Sequence, residues 1–447
     1  MAPWLDSLAD FLAGFRFEQL GRRTVEQTSY VVLDTMGAIA GGAAEPEMRA
    51  LTRTVTVGMS GAASIVGTDK KTVPAAAAFL NGTAGTFLEM DEGNRFAKGH
   101  PSIHALPALW AVAETRGLSG KALMEALVLG YEVGARIGIA AALRPSMHPH
   151  GTWGTVGAAV ALAKLLGYDA AKMRETINVA SSLTLATSKR TMLEGGTVRN
   201  AYAGIANRMG LMAIDLVEAG FIGERDGLAS VFGQVVSESF DTARMIDGLG
   251  HDWQIDKNYF KLHSCCRYNH GALDALDRLL AQEKVTADAI ERVDVASYLY
   301  AAELDDQAPR NTLAGKFSMP FAVATRIARG SSRVENFAWD AVRDGRVQAL
   351  AKRVFVTEDK AMTAKLPQFR PARVALKLVD GRTLTAAVEA NRGDDQDPYS
   401  RDELVGKYFS LSERVWAHDA ADDVRKRILA LEDVANLRTV LTPALSA

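Results

Sequence analysis

The chain has 447 residues, 48% of them hydrophobic and 23% charged, with 51 Lys and Arg against 53 Asp and Glu. That balance belongs to a globular protein long enough to bury large cores without disulfide or metal staples, and it excludes disordered and fibrous classes. A formal net charge of -2 supplies no global field for nucleic acid or an anionic membrane, so charge-driven recognition has to be local.

The first fifteen residues carry Asp6 and Asp10 and no basic run, so they do not read as a targeting peptide. Asp34 interrupts the apolar run around 31–44 and Asn81 the one around 75–88, so no membrane span is expected. From the start to about residue 260, apolar residues recur mainly at three and four positions, which predicts helices over 4–16, 25–40, 105–114, 120–141, 156–166, 170–182 and 200–218. Gly130, Gly134, Gly138 and Ala142 are small enough to let helices approach closely. Beyond about residue 285 the pattern turns to alternation, predicting strands over 293–299, 354–358, 373–379 and 384–389. Asp380-Gly381 between the last two is a strong hairpin signal. Helices over 313–328 and 344–353 interrupt the strands, and the helical pattern returns from Arg401. The expected fold is therefore mainly α with an α+β part. A large all-helical domain comes from both chain ends (1–261 and 400–447), and a smaller α+β domain is inserted at 262–399.

Cys265 and Cys266 are adjacent and fit disulfide geometry poorly, which argues for a reducing compartment or for chemistry at the thiols, and the chain is read as cytoplasmic. No Walker A loop, His-Glu-x-x-His or Gly-x-Ser-x-Gly motif occurs, and the glycine-rich run 151–157 lacks the preceding strand of a dinucleotide site. Six of the eight histidines fall in three clusters, His100 with His104, His148 with His150, and His263 with His270. Ahead of the first stand Glu89, Asp91 and Glu92, then Arg95 and Lys98. This stretch reads either as a solvated loop or as a site in which a carboxylate orients a catalytic His or Lys while cations face an anionic ligand. His100 and His104 could share a helical face as metal ligands, but no third ligand is specified. His148 reads either as a helix-entry cap or as part of a helix start whose free amides attract a carboxylate, while His150 is expected to be solvent-exposed and Cys265 to be a buried structural thiol. Lys261, Cys266 and Arg267 lie at the junction of the two predicted domains, a common place for small-molecule clefts.

Several segments, in order, resemble the MmgE/PrpD family of 2-methylcitrate dehydratases, cis-aconitate decarboxylases and iminodisuccinate epimerases. They are Leu33-Asp34-Thr35-Met36-Gly37, Ala78-Phe79-Leu80-Asn81-Gly82-Thr83, the stretch from Glu89 to Pro101, Gly130-Tyr131-Glu132-Val133, His148-Pro149 with Gly154-Thr155, and Lys261 to His270. The resemblance implies an interdomain active site, a homodimer, small di- or tricarboxylate substrates, and no metal or organic cofactor. By position it implies catalytic roles for His148, Lys261, His100 and Asp91, with Glu89, Lys98, Arg199, Tyr202, Cys266 and Arg267 binding substrate. Three positions depart from the family pattern. Arg199 stands where dehydratases and decarboxylases commonly have lysine, Gly93 where they have threonine, and Cys266 near where decarboxylases have histidine.

The implied chemistry is cofactor-independent proton transfer at a carbon next to a carboxylate. Lys261 and His148 are the expected acid and base, with burial near other cations drawing the lysine's pKa toward working pH. Arg199, Arg267 and Lys98 are the expected carboxylate clamp. A dehydratase-like lyase, an epimerase and a non-catalytic carboxylate-binding protein all remain open at this point.

Overall fold

The computed structural model describes residues 2–445. Two hydrophobic cores organise it. The first gathers helices Pro3–Gly14, Arg22–Ala43, Pro74–Phe87, Pro101–Arg116, Gly120–Ala140, Gly154–Leu165, Ala170–Ser182 and Tyr202–Glu218, together with Arg401–Ser412 and His418–Leu429 from the other end of the chain. The second gathers helices His270–Gln282 and Met319–Arg329 on one four-stranded sheet. The strand order is Thr383–Val388, Ala372–Leu378, Ile290–Ser297, Val354–Glu358, antiparallel except for the last pair. The fold is thus mainly α with an inserted α+β unit, as the sequence pattern predicts. Among the described residues no helix is long and apolar enough to cross a membrane.

The Pro101–Arg116 helix is central to the first core and packs against Pro74–Phe87 and Gly154–Leu165. Proline at its first position suits a helix start, and Gly117 ends it at φ 67°, a left-handed conformation that glycine adopts without steric cost. Helix Pro74–Phe87 meets Tyr202–Glu218 at glycines. A Cβ on Gly82 would lie 2.8 Å from the Gly204 Cα, and one on Gly204 would lie 2.2 Å from the Phe79 carbonyl oxygen. The expected close approach at Gly130, Gly134 and Gly138 is present, whereas Ala142 lies past the helix end in the short strand Ala141–Leu143 and is exposed.

The expected helix over 313–328 is two helices, Thr312–Lys316 and Met319–Arg329. Ser318 caps the second by accepting from the Phe321 N–H, and Pro320 sits in its first turn, where a proline cannot continue the previous helix. In strand Ala372–Leu378, Ala372, Val374, Leu376 and Leu378 are buried, and the hairpin turns at Gly381 with φ 90°.

The two chain ends are joined by a buried ion pair. Lys407, on helix Arg401–Ser412, bonds the carboxylate of Asp34 on helix Arg22–Ala43, and its Nζ also donates to the Met90 carbonyl at 2.6 Å. Removing one partner of such a pair leaves an uncompensated charge in a dry place. Lys407→Met is therefore expected to cost about 3–5 kcal/mol in denaturant unfolding, and the double variant with Asp34→Leu about half of that or less. Equal losses in the single and double variants would show that the charge pairing is not what holds the ends together.

Candidate active site

Residues 88–100 connect helices Pro74–Phe87 and Pro101–Arg116 and run beside the segment that enters the second core. Gly93–Asn94 pairs antiparallel with Asn258–Tyr259, which fixes the two segments against each other. Glu89 and Lys98 hold φ values of 55° and 59°, a left-handed conformation that non-glycine residues adopt only when their surroundings impose it. Those surroundings are donors from the α+β side. Ser264 Oγ donates to the Leu88 carbonyl at 2.7 Å, Lys316 Nζ to that of Phe87 at 3.3 Å, and Arg370 Nη2 to that of Arg95 at 3.1 Å.

The reading of this stretch as a solvated loop is overturned, since Glu89, Asp91 and Glu92 are each at most 1% exposed. Burying carboxylates is tolerable only where cations or donors meet them. Arg199 pairs with Glu89. Lys261, fully buried, lies 3.5 Å from Glu89 Oε2 and 3.4 Å from Asp91 Oδ1, and donates to the Glu89 carbonyl at 3.1 Å. Burial alone would lower the pKa of Lys261, but Asp91 and Glu89 outweigh it and the net shift is upward. The expectation of a lysine brought toward neutral pH is therefore reversed, because its nearest neighbours are anions. Burial likewise pushes Asp91 up, but His100, Lys261 and Arg199 hold it below the ordinary carboxylate value.

The first two histidine clusters merge. His150 packs edge-to-face on the rings of His100, His104 and His148, with centroids 5.4, 4.4 and 5.7 Å away. It is 1% exposed rather than solvated, and both of its ring nitrogens are buried without a hydrogen bond. The backbone fixes the protons on the other three rings. His100 Nδ1 donates to the Glu92 carbonyl at 2.6 Å, with Asp91 Oδ2 3.1 Å away, which leaves Nε2 as an unprotonated acceptor. His148 has the opposite tautomer, since its Nδ1 accepts the His150 N–H at 2.9 Å and the proton resides on Nε2. His104 uses both nitrogens on backbone, donating to the His100 carbonyl at 2.7 Å and accepting from Gly151 at 2.9 Å. It is a fixed strut, and the metal-ligand pairing with His100 does not form. Burial, reinforced for His148 by Arg199, pushes the pKa values of His100 and His148 down, so both rings are neutral near pH 7. The third cluster stays apart, with His263 bridging Ser332 and Asp274 while His270 accepts from Arg267 Nη1 at 3.0 Å.

A cavity of about 390 Å³ opens at this point between the two cores. Glu89, Lys98, His100, His148, Arg199, Cys266 and Arg267 line it, whereas Asp91, Lys261 and Tyr202 stand behind its wall. Tyr202 packs beside His148, with ring centroids 6.4 Å apart. Lys98 is at the exposed rim. Cys265 is a buried structural thiol as expected, and burial pushes the Cys266 thiol up to about 11, which keeps it uncharged and poorly nucleophilic. Sequence reasoning missed Lys189, Tyr259, Tyr268, Tyr300 and Arg370, which also line the cavity. Tyr268 lies within the segment from Lys261 to His270 but was given no role there, the other four come from segments without a recognisable motif, and Arg370 in Phe369-Arg370-Pro371 reads as an ordinary turn.

A helical body built from both chain ends, an inserted α+β unit and an imidazole- and guanidinium-lined cavity between them define a two-domain architecture. The chain belongs to the MmgE/PrpD family, matching its N-terminal domain over residues 6–243 and its C-terminal domain over residues 263–433. It is 24% identical to the cis-aconitate decarboxylase of Aspergillus terreus, over 93% of this chain and 91% of that protein. A cis-aconitate decarboxylase-like protein of Aspergillus oryzae is 25% identical, over 85% of this chain and 84% of its own length. The human cis-aconitate decarboxylase is 23% identical, over 98% and 93%.

Glu92 completes the site from behind. Ser102 N–H and the Tyr131 hydroxyl donate to its two oxygens, each at 2.9 Å, yet burial pushes its carboxyl up to about 8 from an ordinary 4.5. Between those pH values the folded protein holds more protons than the unfolded chain, so Glu92 erodes stability as pH rises through that window. Glu92→Gln, which mimics the neutral carboxyl, is expected to raise Tm relative to the unaltered protein by an increment that grows from about pH 4.5 to about pH 8 and then levels. A pH-independent increment would show that Glu92 ionises in the folded protein at its ordinary value.

Proposed function

We propose that this chain is a cofactor-independent lyase acting on a small di- or tricarboxylate, removing a proton from carbon next to a carboxylate and expelling the neighbouring hydroxyl. The observation that carries this reading is the pair of opposite tautomers lining one cavity, a proton-accepting Nε2 on His100 and a proton-bearing Nε2 on His148. In this mechanism His100 Nε2 takes the carbon-bound proton. The C–H electron pair becomes the new carbon–carbon double bond as the C–O bond breaks, and the departing oxygen takes the proton back from His100 to leave as water. His148 Nε2–H hydrogen-bonds that oxygen. Negative charge developing on the substrate carboxylate is met by Arg199 and Arg267 at the cavity wall, in a site whose apolar parts weaken screening by water. Lys261 acts as a fixed cation that holds Glu89 and Asp91 in place, with Asp91 Oδ2 3.1 Å from His100 Nδ1.

Decarboxylation of an unsaturated tricarboxylate is a second reading, favoured by the names of the relatives matched along most of the chain. Epimerisation of an iminodisuccinate-like dicarboxylate would use the same two rings from opposite faces. A pure carboxylate binder would need the cations but not the accepting ring on His100. Turnover of 2-methylcitrate, citrate and cis-aconitate, followed by proton NMR in deuterated water with detection of carbon dioxide, separates the four. Loss of water, loss of carbon dioxide, exchange without net loss, and binding without either mark each in turn.

On a turned-over substrate, His100→Asn and His148→Gln are each expected to lower kcat by about 10²–10⁴-fold with the fold intact. Because the neutral form of His100 persists below its ordinary 6.5, the acid limb of kcat/KM should fall below that pH. An acid limb above 6.5 would remove His100 as the base. The carboxylates of Glu89 and Asp91 are already taken by Arg199 and Lys261, so activity should survive exhaustive chelation, and restoration by an added divalent ion would overturn metal independence.

A further inference from the structure

We infer that Arg370, framed by Tyr259 and Tyr268, is the specificity residue for a second, distal carboxylate of the substrate. This rests on the reading of the cavity as a polycarboxylate site and extends it by naming the anchor. The cations lining the cavity differ in what already neutralises them. Arg199 is paired with Glu89, Lys189 with Glu303, and Arg267 with Asp394 at 3.2 Å. Arg144 is exposed and donates to the Val235 and Gln234 carbonyls, and Lys98 is at the solvent rim. Arg370 is only 5% exposed, yet among the described residues it has no ion-pair partner, and its one hydrogen bond runs from Nη2 to the Arg95 carbonyl. A buried guanidinium in that condition is costly until an anion joins it.

The tyrosines explain how the charge is held in the absence of that anion. The guanidinium carbon lies 5.8 Å from the Tyr259 ring centre and 5.4 Å from that of Tyr268, within range for cation–π attraction. Tyr268 is itself stacked on Tyr300 at 5.9 Å, which limits its movement. The His100 ring is 6.3 Å from the same Tyr259 centre, so one aromatic ring is flanked by both the proposed base and the free guanidinium. Both line the same cavity. The planar fork of arginine suits bidentate grip on a carboxylate. The substrate class that follows carries one carboxylate at the reacting carbon, near Arg199 and His148, and another on a separate arm directed to Arg370.

The test uses cis-aconitate and citraconate, the latter carrying a methyl group where cis-aconitate carries a carboxymethyl arm. Calorimetric binding of both to the full chain is measured for the unaltered protein, Arg370→Ala and Arg370→Lys. Loss of a charge-assisted carboxylate contact should weaken cis-aconitate by about 10–100-fold in Arg370→Ala, and citraconate by less than about threefold. Millimolar guanidinium ion should restore part of the cis-aconitate affinity, and Arg370→Lys should show the same discrimination at smaller amplitude. Equal weakening of both probes in the two variants would reduce Arg370 to a packing role and overturn the inference alone. An unaltered protein that binds neither probe would overturn the polycarboxylate reading, and this inference with it.

Discussion

The site depends on keeping two carboxylates, Glu89 and Asp91, charged where water does not reach. Lys261 touches both and Arg199 closes on Glu89, so the local count is two anions against two cations. Each member is tolerable only because the others are present, and loss of one leaves several kcal/mol of uncompensated desolvation. Glu89 and Asp91 come from the loop after helix Pro74–Phe87, Arg199 from the turn before helix Tyr202–Glu218, and Lys261 from the segment entering the α+β unit. The same four charges therefore tie the loop that shapes the cavity to the segment that leads into the inserted unit. Glu92, behind them, meets only a backbone N–H and a hydroxyl, and burial without a cation keeps its carboxyl protonated.

The rings are set by the main chain more than by other side chains. Carbonyls of Glu92 and His100 and N–H groups of His150 and Gly151 fix which nitrogen of each imidazole bears the proton. Backbone partners on short linked segments reorient little as charge develops, which is the preorganisation that the proposed proton transfer would use.

Much of the architecture was legible because it rests on local pattern. The helices 120–141 and 170–182, the strand 354–358 and the Asp380-Gly381 hairpin follow from periodicity and turn chemistry. Helix Pro74–Phe87 escapes the periodic pattern because it is apolar on nearly all sides, with buried Asn81 and Thr83 in place of a polar face. The environment of the site was the least legible part. A run of acids and bases reads as solvated, and the partners that bury Glu89 stand 110 and 172 residues away. The solvent exposure expected of His150 fails for the same reason, since the rings that enclose it come from helix Pro101–Arg116 and its approach. The direction of the Lys261 shift depends on which sign of charge lies nearest, and spacing along the chain does not encode that.

The Lys407 contact also sets an order of events during synthesis. Met90 lies between the two site carboxylates in sequence, and the cation that binds its carbonyl and neutralises Asp34 is made more than three hundred residues later, on helix Arg401–Ser412. Until then the nascent helical body carries a carboxylate that cannot be sealed in, and the loop that shapes the pocket lacks its rear support. The rear wall of the pocket is thus complete only once helix Arg401–Ser412 has docked, and a polypeptide that stops short of that helix leaves the Asp34 carboxylate buried without its cation.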